Sequence, residues 1–154
     1  MTEDKKIYLT KEGLEELKIE LKELVDEKRK EVAKRIKEAR DMGDLSENAE
    51  YQAAKEEQGL IEGRITELED IIKRAVVAEG NSNGEVAVGN KVTIHIDGDK
   101  ETFHLVGAPE ADPKEGKISH ESPLGSMLIG KKKGDTFEVE APVGTLTYKI
   151  VKVH

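Results

Sequence analysis

The sequence has no cysteine and no tryptophan, and aromatic residues make up only 3% of it. Without thiols, disulfide frameworks, thiolate zinc sites and cysteine nucleophiles are all excluded. All four prolines lie in the second half, at Pro109 and beyond, so no proline interrupts a helix in the first hundred residues. No apolar run approaches membrane-spanning length, and none long enough for a signal peptide follows Met1–Lys6, so the chain is expected to be cytoplasmic. Positive charge is also in deficit, with 25 Lys and Arg against 33 Asp and Glu and a net charge of -8. Affinity for duplex nucleic acid comes mainly from phosphate neutralisation. A protein that coats DNA is therefore excluded, and any nucleic-acid contact must be local.

What the chain does have is charge and periodicity. Charged residues are 38% of it and hydrophobic ones 36%, a balance that would mean disorder if the apolar positions were scattered. They are regular, and the rule changes along the chain. Residues 1–79 carry 22 acids and 16 bases with no proline, while 80–154 carry 11 and 9, with most of the glycine. Two domains are expected: a helical finger over 1–79, a linker at 80–84 and a β-rich domain over 85–154.

Thr10 is an N-cap candidate, with Leu9 and Leu14 placed as a hydrophobic staple. Leu14, Leu17, Leu21 and Leu24 form a heptad seam. After a skip of one residue, Val25, Val32, Ile36 and Ala39 continue it, with Arg29 in the remaining slot. The helix should run to about Met42 and need not be straight at the skip. Gly43 is a natural stop. A second seam, Tyr51, Ala54, Gln58, Ile61, Ile65, Leu68, Ile72 and Ala75, repeats 3, 4, 3, 4 without a break. Helices joined by so short a turn must run antiparallel, each about 40 Å long. Gly59 and Gly63 fall on the outer face of the second helix, where packing gives no reason for them.

Glu79–Gly84 lacks large apolar residues and reads as the linker. Beyond it the period becomes two. Val92, Ile94 and Ile96 lead through an Asp97-Gly98-Asp99 turn to Phe103 and Leu105. Phe137 and Val139 lead through Pro142-Val143-Gly144 to Leu146, Tyr148 and Ile150. Between these hairpins, Ser122 and Pro123 can start a short helix through Met127 and Ile129. The fold class is α+β, an antiparallel coiled-coil hairpin followed by a small β-rich domain.

The turn Gly43-Asp44-Leu45-Ser46-Glu47-Asn48-Ala49-Glu50-Tyr51 gathers carboxylates at the end of the finger. Carboxylates are hard oxygen ligands suited to Mg²⁺, which is usually held by one or two of them together with substrate phosphates. Asp44 and Glu47 also have the spacing of a capping box for the second helix, and the two roles can coexist. Arg40 and Lys55 are the basic residues nearest this acidic end, where they could guide an RNA phosphate. The lysines and arginines further back read as a solvated face stitched by pairs such as Asp26 with Lys30 and Glu31 with Arg35. Tyr51 lies in the seam and should pack there. No metal-ligand spacing links His95, His104, His120 and His154, and Ser46 has no histidine nearby in sequence to make a triad.

The tip motif, with Ala54-Lys55, Gln58 and Ile61-Glu62-Gly63-Arg64-Ile65, resembles the signature of GreA/GreB transcript cleavage factors. The likeness extends to Leu9-Thr10-Lys11-Glu12-Gly13, Ala39-Arg40, Glu110-Ala111-Asp112, Ile118-Ser119, Ser122-Pro123-Leu124-Gly125 and Gly134-Asp135. It implies an FKBP-like C-terminal domain that docks on the coiled coil at the rim of the RNA polymerase secondary channel, through Ser122, Pro123 and Leu124. The finger then enters the channel. Asp44 and Glu47 help hold a Mg²⁺ shared with the polymerase active site and bound weakly or not at all by the free protein, promoting cleavage of backtracked nascent RNA at its 3′ end. Arg40 and Lys55 match positions that contact that RNA end. The resemblance implies a monomer that is an accessory factor and no enzyme by itself. The balanced charge on the finger sides with the GreA branch. The alternatives are a non-cleaving channel regulator or inhibitor of the same architecture, whose tip carboxylates only cap a helix, and a free-standing Mg²⁺ nuclease, which has no further acidic cluster to complete its site.

Overall fold

A long stretch of good helix formers without proline, capped at its start, needs only a partner to bury its apolar stripe. The structure, a computed structural model, describes residues 5–44 and 48–154. Thr10 is the N-cap: its hydroxyl accepts the Gly13 amide at 3.1 Å, and α1 follows over Lys11–Glu23. The helix continues through a single π turn, Leu24–Lys28, into α2 at Arg29–Asp41. The Arg29 amide bonds to the Leu24 carbonyl, five residues back. That turn is where the sequence skips one residue, and the wider π loop takes up the extra residue so that both stretches of seam face the same way.

The returning helix α3 spans Ala49–Arg74. Val32 and Ile36 of α2 pack with Ala54, Ile61 and Ile65 of α3, flanked by Leu21, Leu24, Val25 and Tyr51. Each buried aliphatic side chain contributes roughly 1.5–3 kcal/mol before entropy is counted. Ion pairs set the register. Arg64 forks onto Glu20 at 2.7 and 2.9 Å, Arg29 onto Glu62 at 3.0 Å through both nitrogens, and Arg35 meets Glu57. Glu20, and then Glu67, hold the Arg64 guanidinium above its ordinary value. Being largely exposed, each pair is worth at most about 1 kcal/mol. Arg35 thus reaches across the hairpin, while Glu31 pairs with Lys28, in place of the intrahelical pairing expected from spacing.

The finger is shorter than the 1–79 read from sequence. Strand β1, Ile7–Leu9, pairs in parallel with β2, Ala75–Val77, and the segment ending at Gly13 clusters with Ala75–His154, leaving Leu14–Arg74 as the hairpin. Ala75 continues the spacing of the α3 seam, which hides the change from helix to strand. Ile71 is buried at the end of the helix and the expected Ile72 only half-buried.

In the second unit, β3 (Lys91–Ile96), β4 (Asp99–Val106), β5 (Lys117–Ser119), β6 (Thr136–Ala141) and β7 (Gly144–Val153) form one sheet in the order β5-β4-β3-β7-β6. Only the β4–β5 pair is parallel. Both expected hairpins are present. Asp97 and Gly98 have φ of +46° and +93°, the two positive values of a type I′ turn. One face of the sheet holds Val92, Ile94, Leu105 and Ile150 against Val86 and Leu128. Leu128 ends the short helix α4, Pro123–Leu128, so the helix stops one residue before the expected Ile129.

Two polar side chains, Asn90 buried and Glu110 half-buried, tie down segments that look loose in the sequence. The Asn90 side chain, 3% exposed, accepts the amides of Asn81 and Ala87, both at 2.9 Å, and donates to the carbonyls of Asn81 and His154 at 3.1 and 2.8 Å. Residues of the expected linker are thereby held to the end of the chain. The Glu110 carboxylate receives the Thr10 amide at 2.8 Å and the Thr10 hydroxyl. Two sequence motifs a hundred residues apart are thus the halves of one cap.

Candidate functional site

Helix ends leave amides and carbonyls without partners, and the tip of the hairpin has to satisfy both kinds at once. Asn48 does so. Its side-chain oxygen accepts the Tyr51 amide at 3.1 Å, which makes it the N-cap of α3. Its amide nitrogen donates at 2.6 Å to the carbonyl of Ala39 in the last turn of α2. The Met42 amide bonds to the same carbonyl at 3.1 Å, and Gly43 then leaves the helix at φ +133°, a conformation that favours glycine. Asn48, and not Asp44, is therefore the N-cap of α3, which starts at Ala49; Glu47, the other half of the capping box read from the sequence, lies outside the described residues.

Asp44 is exposed immediately beyond Gly43. Glu47 lies outside the described residues, as do Leu45 and Ser46. Arg40, in the last turn of α2, and Lys55, in the second turn of α3, are both exposed and line one groove of about 350 Å³ with Ala33, Ile36, Lys37 and Gln58. Lys55 donates to Gln58 at 3.3 Å. Because Arg29 and Arg35 are committed to Glu62 and Glu57, the positive charge next to the tip narrows to Lys37, Arg40 and Lys55. Sequence reasoning missed Asn48 and Lys37. The signal for Asn48 was there: an asparagine directly before Ala49, three residues ahead of a seam position. Tyr51 is half-buried against the hairpin core, as its seam position requires.

Ser122, Pro123 and Leu124 lie in the other unit. Ser122 caps α4, accepting the Gly125 amide at 3.0 Å and donating to the Ser119 carbonyl at 2.7 Å. Pro123 is exposed at the first helical position, and Leu124 packs on the sheet core. A side chain on Gly125 would put its Cβ 2.0 Å from the Ser119 carbonyl oxygen, so the chain needs glycine there. Folding alone accounts for all four, Pro123 as the first residue of α4, and Pro123 is the most exposed of them.

Chemically, the tip offers a hard, exposed carboxylate beside a cationic groove. Among the described residues no three His, Cys, Asp or Glu side chains come together as a metal site.

Residues 7–77 match the family described as transcription elongation factor, N-terminal, and residues 81–154 the one described as transcription elongation factor, GreA/GreB, C-terminal. The chain is 52% identical over 154 residues to transcription elongation factor GreA of Lactococcus lactis subsp. cremoris (strain MG1363), covering 97% of this chain and 99% of that one. It is 47% identical over 154 residues to transcription elongation factor GreA of Roseiflexus castenholzii, covering 97% and 98%. Among solved structures, GreA factor homolog 1 of Thermus thermophilus aligns at a TM-score of 0.46 and 32% identity, over 97% of this chain and 99% of that one.

Proposed function

Because the chain belongs to the GreA/GreB family of transcription elongation factors, we propose that it acts at bacterial RNA polymerase by lending tip carboxylates to the polymerase's own RNA-cutting chemistry. The finger enters the secondary channel, while the sheet unit docks on the rim coiled coil through Pro123 and its neighbours Ser122 and Leu124. Asp44 and Glu47 supply oxygen ligands to a Mg²⁺ whose other ligands belong to the polymerase and to RNA phosphates. Two carboxylates suit an ion that is otherwise satisfied by water and phosphate, and they hold it weakly in the free protein. Bound there, Mg²⁺ lowers the pKa of a water and neutralises charge on the scissile phosphate. Arg40 and Lys55, with Lys37 lining the same groove, attract the backtracked RNA 3′ end toward the acidic residues. The factor has no nuclease activity of its own and works as a monomer in the cytoplasm. No helix among the described residues is long and apolar enough to cross a membrane.

The observation that carries this reading is the position of Asp44, exposed immediately beyond Gly43 where α2 ends and four residues after Arg40, which lines the cationic groove with Lys55.

The test uses backtracked elongation complexes carrying 3′-labelled RNA. Wild-type protein shortens the RNA only when polymerase is present. Asp44→Ala and Glu47→Ala each lose about 10²-fold in cleavage rate, the scale for removing one group that stabilises transition-state charge, while still competing with wild type for polymerase. Full cleavage by both variants sinks the ligand role and leaves a non-cleaving channel regulator. Cutting of free RNA turns the protein into a nuclease.

A further inference from the structure

The outward face of the five-stranded sheet is cationic, although the protein as a whole is at -8. Along β3 the core residues Val92 and Ile94 alternate with Lys91, Thr93 and His95, which point away from the core. Pairing builds three rows from these. Lys91 stands opposite His104, and His104 opposite Lys117; Thr93 lies between Thr102 and Lys152; His95 lies between Lys100 and Lys149. Lys149 and Lys152 are three residues apart on β7 and in a regular strand would point to opposite faces. A β-bulge between Thr93 and Ile94 on β3 leaves Val151 unpaired, and that extra residue brings both lysines to the same side.

The result is an exposed set, Lys91, Lys100, Lys149 and Lys152, none of which forms an ion pair among the described residues. Lys117 is paired with Glu115 at 3.5 Å, and Glu138 and Glu140 on β6 bound the patch at its far edge. A hollow of about 420 Å³ opens on this face between His95, Lys133 and Lys149. Lys91 and Lys117 are also among the causes that lower the His104 pKa, behind partial burial. All three aromatics of the sheet, Phe103, Phe137 and Tyr148, pack on its other side.

From this placement we infer that the outward sheet face is a docking surface for the phosphate backbone of duplex DNA. Charge complementarity selects a polyanion, and the missing aromatics select the duplex over single strands, which are held by stacking their bases on aromatic rings. Four strands about 4.8 Å apart span roughly 14 Å, over which a duplex presents about eight phosphates. Hydroxyls between the lysines add backbone contacts: Thr93 bonds with Thr102 at 3.1 Å and with His154 at 3.3 Å. The contact is local and independent of sequence, as the overall negative charge demands.

The assay is fluorescence anisotropy of a labelled 20-base-pair DNA duplex titrated with the full chain, with no polymerase present, so the outcome does not depend on the tip chemistry. Binding is expected at 20 mM salt, with log K falling against log salt at a slope of about -3.6 for four neutralised phosphates. Lys91→Gln with Lys100→Gln, and separately Lys149→Gln with Lys152→Gln, should each weaken it about tenfold and roughly halve the slope. Asp44→Ala and the Arg40→Ala, Lys55→Ala pair should bind as wild type does. Unchanged binding by both lysine pairs overturns the proposal. So does no binding at 20 mM salt, tighter binding of the single strand, or equal displacement by a polyglutamate peptide, which would mark the face as a site for acidic protein.

Discussion

Deleting Asp26 should leave the finger as stable as it is now, although a one-residue deletion inside a coiled-coil helix is ordinarily ruinous. Each residue of an α-helix turns the chain by 100°, so a deletion swings everything beyond it out of the seam. Here the seam already contains one residue too many. Removing Asp26 renumbers the stretch beyond it so that positions 14, 17, 21, 24, 28, 31, 35 and 38 follow one unbroken heptad, and the π turn at Leu24–Lys28 can close as an ordinary α turn. Val32 and Ile36, 1% and 6% exposed, keep their places against Ala54, Ile61 and Ile65. The control is deletion of Lys34, on the far side of Val32. It forces either Val32 or the pair Ile36 and Ala39 out of the core, at a cost of about 2–4 kcal/mol. For a unit of this size that lowers Tm by about 10 °C or more, whereas deletion of Asp26 should move it by only a few degrees in either direction. Thermal unfolding followed by helical circular dichroism reads both. Equal damage from the two deletions would refute the idea that the π turn stores the extra residue.

Three further outcomes follow from the geometry. Asn48→Ala should cost about 1–2 kcal/mol in urea unfolding, because the Tyr51 amide and the Ala39 carbonyl both lose a partner; Asn48→Asp, which keeps only the acceptor, should recover part of it. Asn90→Ala should destabilise the sheet unit by about 3 kcal/mol or more, since two amides and two carbonyls lose their partner together, and unchanged chemical denaturation would show that water replaces it. For His104, burial and then Lys91 lower the folded pKa below the unfolded value of about 6.5, so the unfolded chain takes up a proton first as pH falls. Stability is therefore lost as pH drops from about 6.5 through the lowered folded pKa. The wild-type urea midpoint should fall relative to that of His104→Gln between pH 7.5 and 5.5, and the opposite trend contradicts the assignment.

The tip shows how far local reasoning reaches. Arg40 and Lys55 could be paired from the sequence because an antiparallel hairpin with a known turn fixes which residues face each other, and they do line one groove. The cap could not be chosen in the same way. Asp44 and Asn48 are both good N-cap residues, and the choice turns on whether α2 ends close enough for one side chain to serve both helices. Lys37 joins the groove by helical spacing, four residues after Ala33 and three before Arg40, and it stands out as cationic because Arg29 and Arg35 are paired with glutamates of α3.

The two seams, the extra residue between Leu24 and Val32, both β-hairpins and the Ser122 cap were all legible along the chain, because each is written within a few neighbouring residues as a period, a turn dipeptide or a cap. Three features came from long-range packing: Ala75–Val77 leaves the helix to pair with Ile7–Leu9, Glu110 braces the Thr10 cap of α1 across a hundred residues, and a bulge turns Lys149 and Lys152 to one face. Those features depend on which distant segments meet. Close packing settles that globally, since a buried amide or apolar strand will take whichever partner the rest of the fold brings to it.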